Sequence, residues 1–237
     1  MKRQYKVLSI LLTLVLIFGL LFSYVFAADS TTVTILETSD LHGRIYPYEY
    51  AIDSYDDDTG LAKIATLIKQ ERAIDPNLIL IDCGDTVQDN SADLFNDLPV
   101  HPMIEGLNFL NYDVWVFGNH EFNYEKSFFE KNIATFKNTV LSANTVKTDG
   151  TYFVKPYEIF ERNGVRIAIV GLLPPEITRW EASAPEHFEG LKFLGTLETA
   201  KKVVAELEGK YDVLVGAFHL GPDGEYSYEG AKDIACL

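Results

Sequence analysis

Short apolar runs in this chain break off repeatedly at the same kind of residue. Residues 114–121 read VWVFGNHE: four apolar residues, then Gly118, Asn119, His120 and Glu121. Residues 78–85 read LILIDCGD, residues 31–42 read TTVTILETSDLH, and residues 211–219 read YDVLVGAFH. Each run has the length and the β-branched or aromatic content of a strand. Helical spacing lies between them. Leu61, Ile64, Ala65 and Ile68 share a face, as do Leu197, Ala200, Val203, Val204 and Leu207; residues 101–110 open with Pro102 near the first helical position, and 125–136 read as helix. Strands alternating with helices define an α/β or mixed sandwich fold. Parallel strands gather ligands beyond their carboxyl ends. Asp40 and His42, Asp82 and Asp85, Asn119 and His120, and finally His219 all follow strands. They are therefore expected to meet at one edge of the sheet.

The smaller elements follow from local signals. Thr59 is placed as the cap of the first helix and Pro76 as its end. Residues 139–143 read as extended. Residues 152–160 and 165–172 flank Arg-Asn-Gly and read as a hairpin. Residues 39–59 and the stretch after Gly171 are the two long loops.

The first 27 residues carry a different message. Lys2, Arg3 and Lys6 precede an uncharged apolar run, and Val25-Phe26-Ala27 ends it with small residues. This is the pattern of a secretory signal peptide, with Ala28 as the new N-terminus. An uncleaved anchor is the rival, since the run is long enough to span a bilayer. Three of the 20 Lys and Arg lie in this leader and none of the 35 Asp and Glu, so residues 28–237 carry 17 against 35, a formal charge of −18. That balance excludes polymeric nucleic acid as a partner but not small anions, because bound cations reverse a local field. No membrane span is expected after cleavage, and the destination is secreted, cell-surface or periplasmic. The two cysteines, Cys83 and Cys236, read as a small buried residue and a free terminal thiol.

The clustered residues suit one chemistry. Asp, Asn and His offer oxygen and imidazole nitrogen, which hold manganese, zinc, iron or similar divalent ions. Two cysteines are too few for a Cys-rich structural zinc site. Paired ions need a bridging carboxylate and serve phosphoester hydrolysis. Asp85 is the natural bridge: it follows a central strand, with Gly84 before it to let the backbone turn.

The strings DLHG, GD and GNHE resemble the motif set of the calcineurin-like metallophosphoesterases. The longer strings GNHEFNYE, HPMIEGLNFLNYD and IVGLLPPEITRWE resemble one branch, the secreted 5′-nucleotidases and 2′,3′-cyclic-nucleotide 2′-phosphodiesterase/3′-nucleotidases. FNY and PPEITRWE look closer to the cyclic phosphodiesterase side. The resemblance runs from residue 33 to about 221. It implies a four-layer α/β/β/α sandwich with two divalent ions (manganese, zinc, cobalt or iron). It implies Asp40 and His42 as ligands of the first ion, Asp85 as bridge, and Asn119 and His219 as ligands of the second. His120 would face the phosphate without ligating, and Asn123 would pair with it, making these two the catalytic residues. Many 5′-nucleotidases have Asp where this chain has Asn123, and a neutral amide holds a charged imidazole less strongly. The family's Gly-His-x-His motif and its nucleotide-holding C-terminal domain are absent. Residues 28–237 are therefore expected to be a partial catalytic domain, incomplete at its C-terminus and of low activity alone. The implied substrates are small nucleotides: 2′,3′-cyclic and 3′-nucleotides first, 5′-nucleotides second. The alternatives are a related small-phosphoester hydrolase and a non-catalytic relic.

Structural roles are expected for the remaining residues. Asp82 closes a turn, His101 caps a helix or lies in a loop, and His187 is a solvated loop histidine. Glu121 fixes a neighbouring loop. Trp115 and Trp180 are core or loop anchors, and Asp56–Asp58 form a solvated turn.

Overall fold

The structure, a computed structural model, describes residues 30–236 apart from 225 and 227. The expected signal peptide, 1–27, lies outside the described residues. Strand β1 (Ile35–Thr38) leads through a small hairpin, β2 (Tyr48–Glu49) and β3 (Ser54–Tyr55), into helix α1 (Leu61–Ile74). Then come β4 (Ile79–Asp82), α2 (Pro102–Phe109), β5 (Val114–Val116), α3 (Lys126–Thr135), β6 (Thr139–Leu141) and β7 (Thr145–Lys147). The second half holds β8 (Tyr157–Arg162), β9 (Val165–Leu172), α4 (Ile177–Trp180), β10 (Leu191–Phe193), α5 (Thr196–Leu207), β11 (Val213–Phe218) and α6 (Ala231–Ala235). Among the described residues, no helix is long and apolar enough to cross a membrane.

Two sheets form the centre. One is parallel, in the order β1-β4-β5-β6; the other runs β11-β9-β8, with β11 parallel and β8 antiparallel to β9. Alternation along the strands explains how they stack. Ile79, Ile81, Val114 and Val116 point between the sheets and meet Ile167, Ile169 and Ala217. Leu80 and Trp115 point the other way, into a core shared with Leu61 and Ile68 of α1 and Met103, Ile104 and Leu107 of α2. Ala168, Val170 and Leu172 pack against Ala200, Val203 and Leu207 of α5 and Ile234 of α6. The order is helices, sheet, sheet, helices: the four-layer sandwich that the sequence implied. Strands covered on both faces are apolar throughout, which is why 78–82 shows no alternation.

Two expectations change. Thr59 is not the cap of α1; Gly60 is, at φ 97°. No capping side chain is needed, because the backbone carbonyls of Arg44 and Ile45 accept from the N–H groups of Leu61 and Ala62 at 3.0 and 2.9 Å. A Cβ on Gly60 would lie 2.7 Å from the Tyr46 carbonyl carbon, so the close approach needs glycine. The hairpin also starts late. Tyr152 and Lys155 make only isolated bridges, and the strand begins at Tyr157, after Pro156, which has no N–H to donate. The turn is as expected, with Asn163 and Gly164 at φ 53° and 77°.

His101 caps α2 as the sequence suggested. Its buried Nδ1 accepts from the Met103 N–H at 3.3 Å, and Pro102 follows. Burial pushes this imidazole down to about 4, with nearby Lys131 adding to the effect. Only the neutral ring can accept, so the unfolded chain binds a proton here before the folded chain does. Stability is therefore full above about pH 6.5 and falls as the pH drops towards 4, by about 2–4 kcal/mol. Urea unfolding at pH 7 and pH 4 checks this against His101→Asn, a cap that does not titrate. The variant is expected to lose less stability on acidification; an equal loss would remove His101 as the source.

Candidate metal centre

The site lies where the two sheets present their carboxyl ends. Beyond β1 the chain stays paired: Asp40, His42 and Gly43 donate to the carbonyls of Gly84, Asp85 and Thr86, each at 2.9 Å. Asp40, His42 and Asp85 all have positive φ, at 55°, 46° and 55°. Such backbone is uncommon without glycine, and surrounding structure must hold it. The ends of β4 and β5 touch at a glycine pair. A Cβ on Gly84 would lie 2.2 Å from the Gly118 nitrogen, and one on Gly118 would lie 2.2 Å from the Asp85 Oδ1.

Two buried carboxylates tie these loops from below. Glu121, wholly buried, accepts from the N–H groups of Asp85 (2.9 Å), Thr86 (2.7 Å) and Gly118 (2.6 Å). Asp82 accepts from Thr38 Oγ1 (2.7 Å), the Gly84 N–H (3.2 Å) and Thr86 Oγ1. Burial lifts Asp82 to about 7 and raises Glu121 as well, where the nearby Asp85 charge adds to the shift. Both shape the floor rather than face the cleft, as expected of them.

Asp85 is the hub. Its side chain is 5% exposed, Oδ1 accepts from the His120 N–H at 2.8 Å, and Oδ2 meets His219 Nε2 at 3.1 Å. The Nε2 atoms of His42 and His120 each lie 4.0 Å from the same oxygen, and Asp40 Oδ1 lies 3.7 Å from His42 Nε2. Burial works against the Asp85 charge, but His219 and His120 outweigh it and hold the carboxyl below its ordinary range. Burial likewise opposes charge on His219, yet Asp85 lifts it to about 9.

The imidazoles are aimed from behind. His219 Nδ1 is 2.8 Å from the Cys83 carbonyl, which can only accept, so this nitrogen donates and Nε2 faces the cluster. His42 Nδ1 sits 3.0 Å from Gln88 Oε1, which turns Nε2 towards Asp40 and Asp85. Such outer partners are how proteins aim metal-binding imidazoles. Donor atoms of Asp40, Asp85 and His219 all lie within 4.8 Å of one another. Two carboxylates and an imidazole fit a divalent ion of the manganese, iron or zinc type.

Two clefts flank this cluster. One, of about 410 Å³, is bordered by Asp40, Asn119, His219 and Trp180. The other, of about 540 Å³, is bordered by Asp40, His42, Gln88 and His120. The structure thus gathers the side chains of Asp40, His42, Asp85 and His219, with His120 beside them, while Asn119 borders the first cleft with Asp40 and His219. His120 Nδ1 hydrogen-bonds the Asn123 Oδ1, and its ring meets that of His42 edge-on at 5.3 Å.

Other residues differ from expectation or were not foreseen. Trp180 is an anchor that also borders a cleft: its Nε1 donates to the Tyr226 hydroxyl at 3.3 Å. His187 is not simply solvated. It is half-buried, with Nδ1 3.2 Å from the Phe122 carbonyl. Asp56 and Asp57 pair with Arg44 and Lys63, at 3.3 and 2.8 Å. Cys83 is buried and Cys236 exposed, both free, as expected. Gln88 and Glu181 were missed, since neither stands in a motif; their roles depend on contacts that span 46 and 58 residues.

A parallel sheet edge carrying Asp, Asn and His beside a second sheet is the arrangement of a metallophosphoesterase. The calcineurin-like phosphoesterase profile matches residues 33–237, and the chain belongs to that family. It is 30% identical over 228 residues to the trifunctional nucleotide phosphoesterase protein YfkN of Bacillus subtilis, covering 87% of this chain and 15% of that protein. It is 33% identical to the 2′,3′-cyclic-nucleotide 2′-phosphodiesterase/3′-nucleotidase of Haemophilus influenzae, covering 85% of this chain and 33% of the relative. It is 34% identical to the 5′-nucleotidase of Vibrio cholerae, covering 88% and 38%. The crystal structure of the calcineurin-like phosphoesterase YfkN superposes with a TM-score of 0.75 at 30% identity, covering 86% of this chain and 67% of that one. The chain thus spans less than half the length of these three curated relatives.

Proposed function

We propose that this chain is the metal-binding catalytic part of a secreted nucleotide phosphoesterase. The observation that carries the reading is Asp85: a buried carboxylate with three imidazoles and Asp40 gathered about it. Asp40 and His42 would hold one divalent ion, Asn119 and His219 a second, with Asp85 between them. When bound, such ions polarise the phosphoryl group and acidify water. The chain's own residues do the rest. Glu121 and Asp82 lock the loops that carry the ligands. The Gln88 side chain and the Cys83 carbonyl aim two imidazoles. His120 borders the cleft beside the cluster, its Nδ1 taken by Asn123 and its Nε2 4.0 Å from the Asp85 Oδ2, where it would hold a proton against a phosphate oxygen or a leaving group.

The preferred substrates are 2′,3′-cyclic nucleotides and 3′-nucleotides, supported by FNY and PPEITRWE. The alternative is 5′-nucleotidase activity, favoured by the equally similar Vibrio relative. The five donors leave each ion short of a full shell, so these residues alone are expected to bind metal loosely and work slowly. Secretion rests on the leader at 1–27. The test loads the chain with manganese, zinc or cobalt, counts the bound ions, and assays 2′,3′-cyclic AMP, 3′-AMP and 5′-AMP. Bound metal with metal-dependent release of phosphate or 3′-AMP supports the reading. A chain that binds no ion and cleaves none of the three is the non-catalytic relic instead.

A further inference from the structure

An amide beside an imidazole is ambiguous. Asn123 can present its oxygen or its nitrogen to His120, and the choice decides which ring nitrogen carries the proton. If Oδ1 faces the ring, Nδ1 must be protonated, and Nε2 is where the ring exchanges its other proton. If Nδ2 faces the ring, Nδ1 must accept and Nε2 holds the only proton of the neutral ring. These two arrangements offer opposite chemistry to a substrate in the cleft.

A third residue resolves the choice. Glu181 Oε1 lies 2.5 Å from Asn123 Nδ2. A carboxylate has only acceptors, so it takes the NH₂ end of the amide and leaves Oδ1 for His120. We propose that Glu181 is a positioning residue that fixes the Asn123 amide and, through it, the Nδ1–H tautomer of His120.

The contact belongs to a built clamp. Glu181 directly follows α4, which wholly buried Ile177 pins to the core, and its N–H donates to the Ile177 carbonyl at 2.9 Å. The residues that follow α4 grip the loop after β5 and the start of α3 at two further points. His187 Nδ1 binds the Phe122 carbonyl, and Lys126 Nζ donates to the Glu189 carbonyl at 2.8 Å. Asn123 is thus held between a ring on one side and a carboxylate fixed by tertiary structure on the other. The carboxylate that a neutral amide lacks is supplied one residue further out, 58 positions along the chain. Which nitrogen of a histidine carries the proton is set by the partner of the other nitrogen, and a wrong tautomer is costly even where the geometry survives.

The tautomer itself stands on the geometry; its catalytic consequence rests on the phosphoesterase reading. The experiment separates the two. Imidazole ¹⁵N spectra of the metal-free chain are recorded in mildly alkaline buffer, where free imidazole is neutral. His120 is expected to show a protonated Nδ1. Glu181→Gln keeps the shape but can donate as well as accept, so the amide can turn, and a second population with Nε2–H is expected. In the manganese-loaded chain this variant is expected to keep its metal and KM while kcat falls roughly 10–100-fold, the range for an outer partner of a site residue. Asn123→Asp combined with Glu181→Gln restores a fixed acceptor for Nδ1, since the Gln amide donates to the new carboxylate. That double variant is expected to return both the tautomer and most of the rate. An Nε2–H tautomer in the unaltered chain, or a tautomer that Glu181→Gln leaves unmoved, overturns the proposal. A locked tautomer that Glu181→Gln releases, in a chain inactive on every nucleotide, supports the role of Glu181 and counts against the phosphoesterase reading alone.

Discussion

Asp85→Asn is expected to strip the chain of metal and of turnover together. The wild-type carboxylate is 3% exposed as a residue and serves several partners at once. Its Oδ1 is held by the His120 N–H, and Oδ2 faces His219 at 3.1 Å with His42 and His120 behind it at 4.0 Å. An Asn side chain can keep the Oδ1 bond, so the loop has no reason to collapse. The second position changes from a charged acceptor to an NH₂ donor, aimed at the nitrogen through which His219 would hold an ion. Negative charge that two cations could share is lost, and a donor is placed where both would need an acceptor. Losing about 4 kcal/mol of transition-state stabilisation slows the reaction roughly a thousandfold, and loss of the ions themselves costs at least that much. Metal content by mass spectrometry and phosphate release in excess manganese check both halves. A variant that keeps its ions and runs at near-normal rate would falsify the bridging assignment.

How far the residues announced this site depends on distance along the chain. Asp40, His42, Asp85, Asn119, His120 and His219 each follow an apolar strand, and parallel topology carries strand ends to one place. Trp115, readable as a core or loop anchor, lies in the core, where it is wholly buried. Asp82 and Asp85 differ by a single turn of backbone: one points down to Thr38 and Thr86, the other up to three imidazoles. Gly84 between them was the readable sign. The 39–59 loop was legible only as irregular, yet it contains β2 and β3, each two residues long, too short for any period to show. Thr59 failed as a cap because tertiary carbonyls at 44 and 45 took over the work of a side chain. Glu181 was invisible for a related reason. Nothing local distinguishes a glutamate after a short helix from a solvated one, and its meaning arises only where α4 packs beside the loop after β5.

His120→Ala is expected to do the reverse of Asp85→Asn, keeping the ions and losing the rate. His42 and His120 both hold Nε2 4.0 Å from the Asp85 Oδ2, but His42 Nε2 also faces Asp40 at 3.7 Å, whereas His120 has no second carboxylate there and is held at Nδ1 by Asn123. Its ring is about one-third exposed and borders the cleft with His42 and Gln88. Its structural service to Asp85 comes from the backbone N–H, which alanine retains. Removing the ring therefore leaves Asp40, His42, Asp85, Asn119 and His219 in place, and Glu121 still ties the loop beneath them. What disappears is a proton carrier held at Nδ1 by Asn123 on a ring that borders the cleft. A positioned acid or base contributes about 10²–10⁴-fold, so kcat is expected to fall by that factor with KM nearly unchanged. The loss should be smaller on an aryl phosphodiester, whose leaving group departs without a proton, than on a nucleotide. Metal content, kcat and KM on both substrates are the measurements. If the variant loses its ions instead, His120 is a ligand and the division of labour around Asp85 is wrong. If both substrates slow equally with the ions retained, the ring stabilises charge on the phosphate rather than delivering a proton to the leaving group.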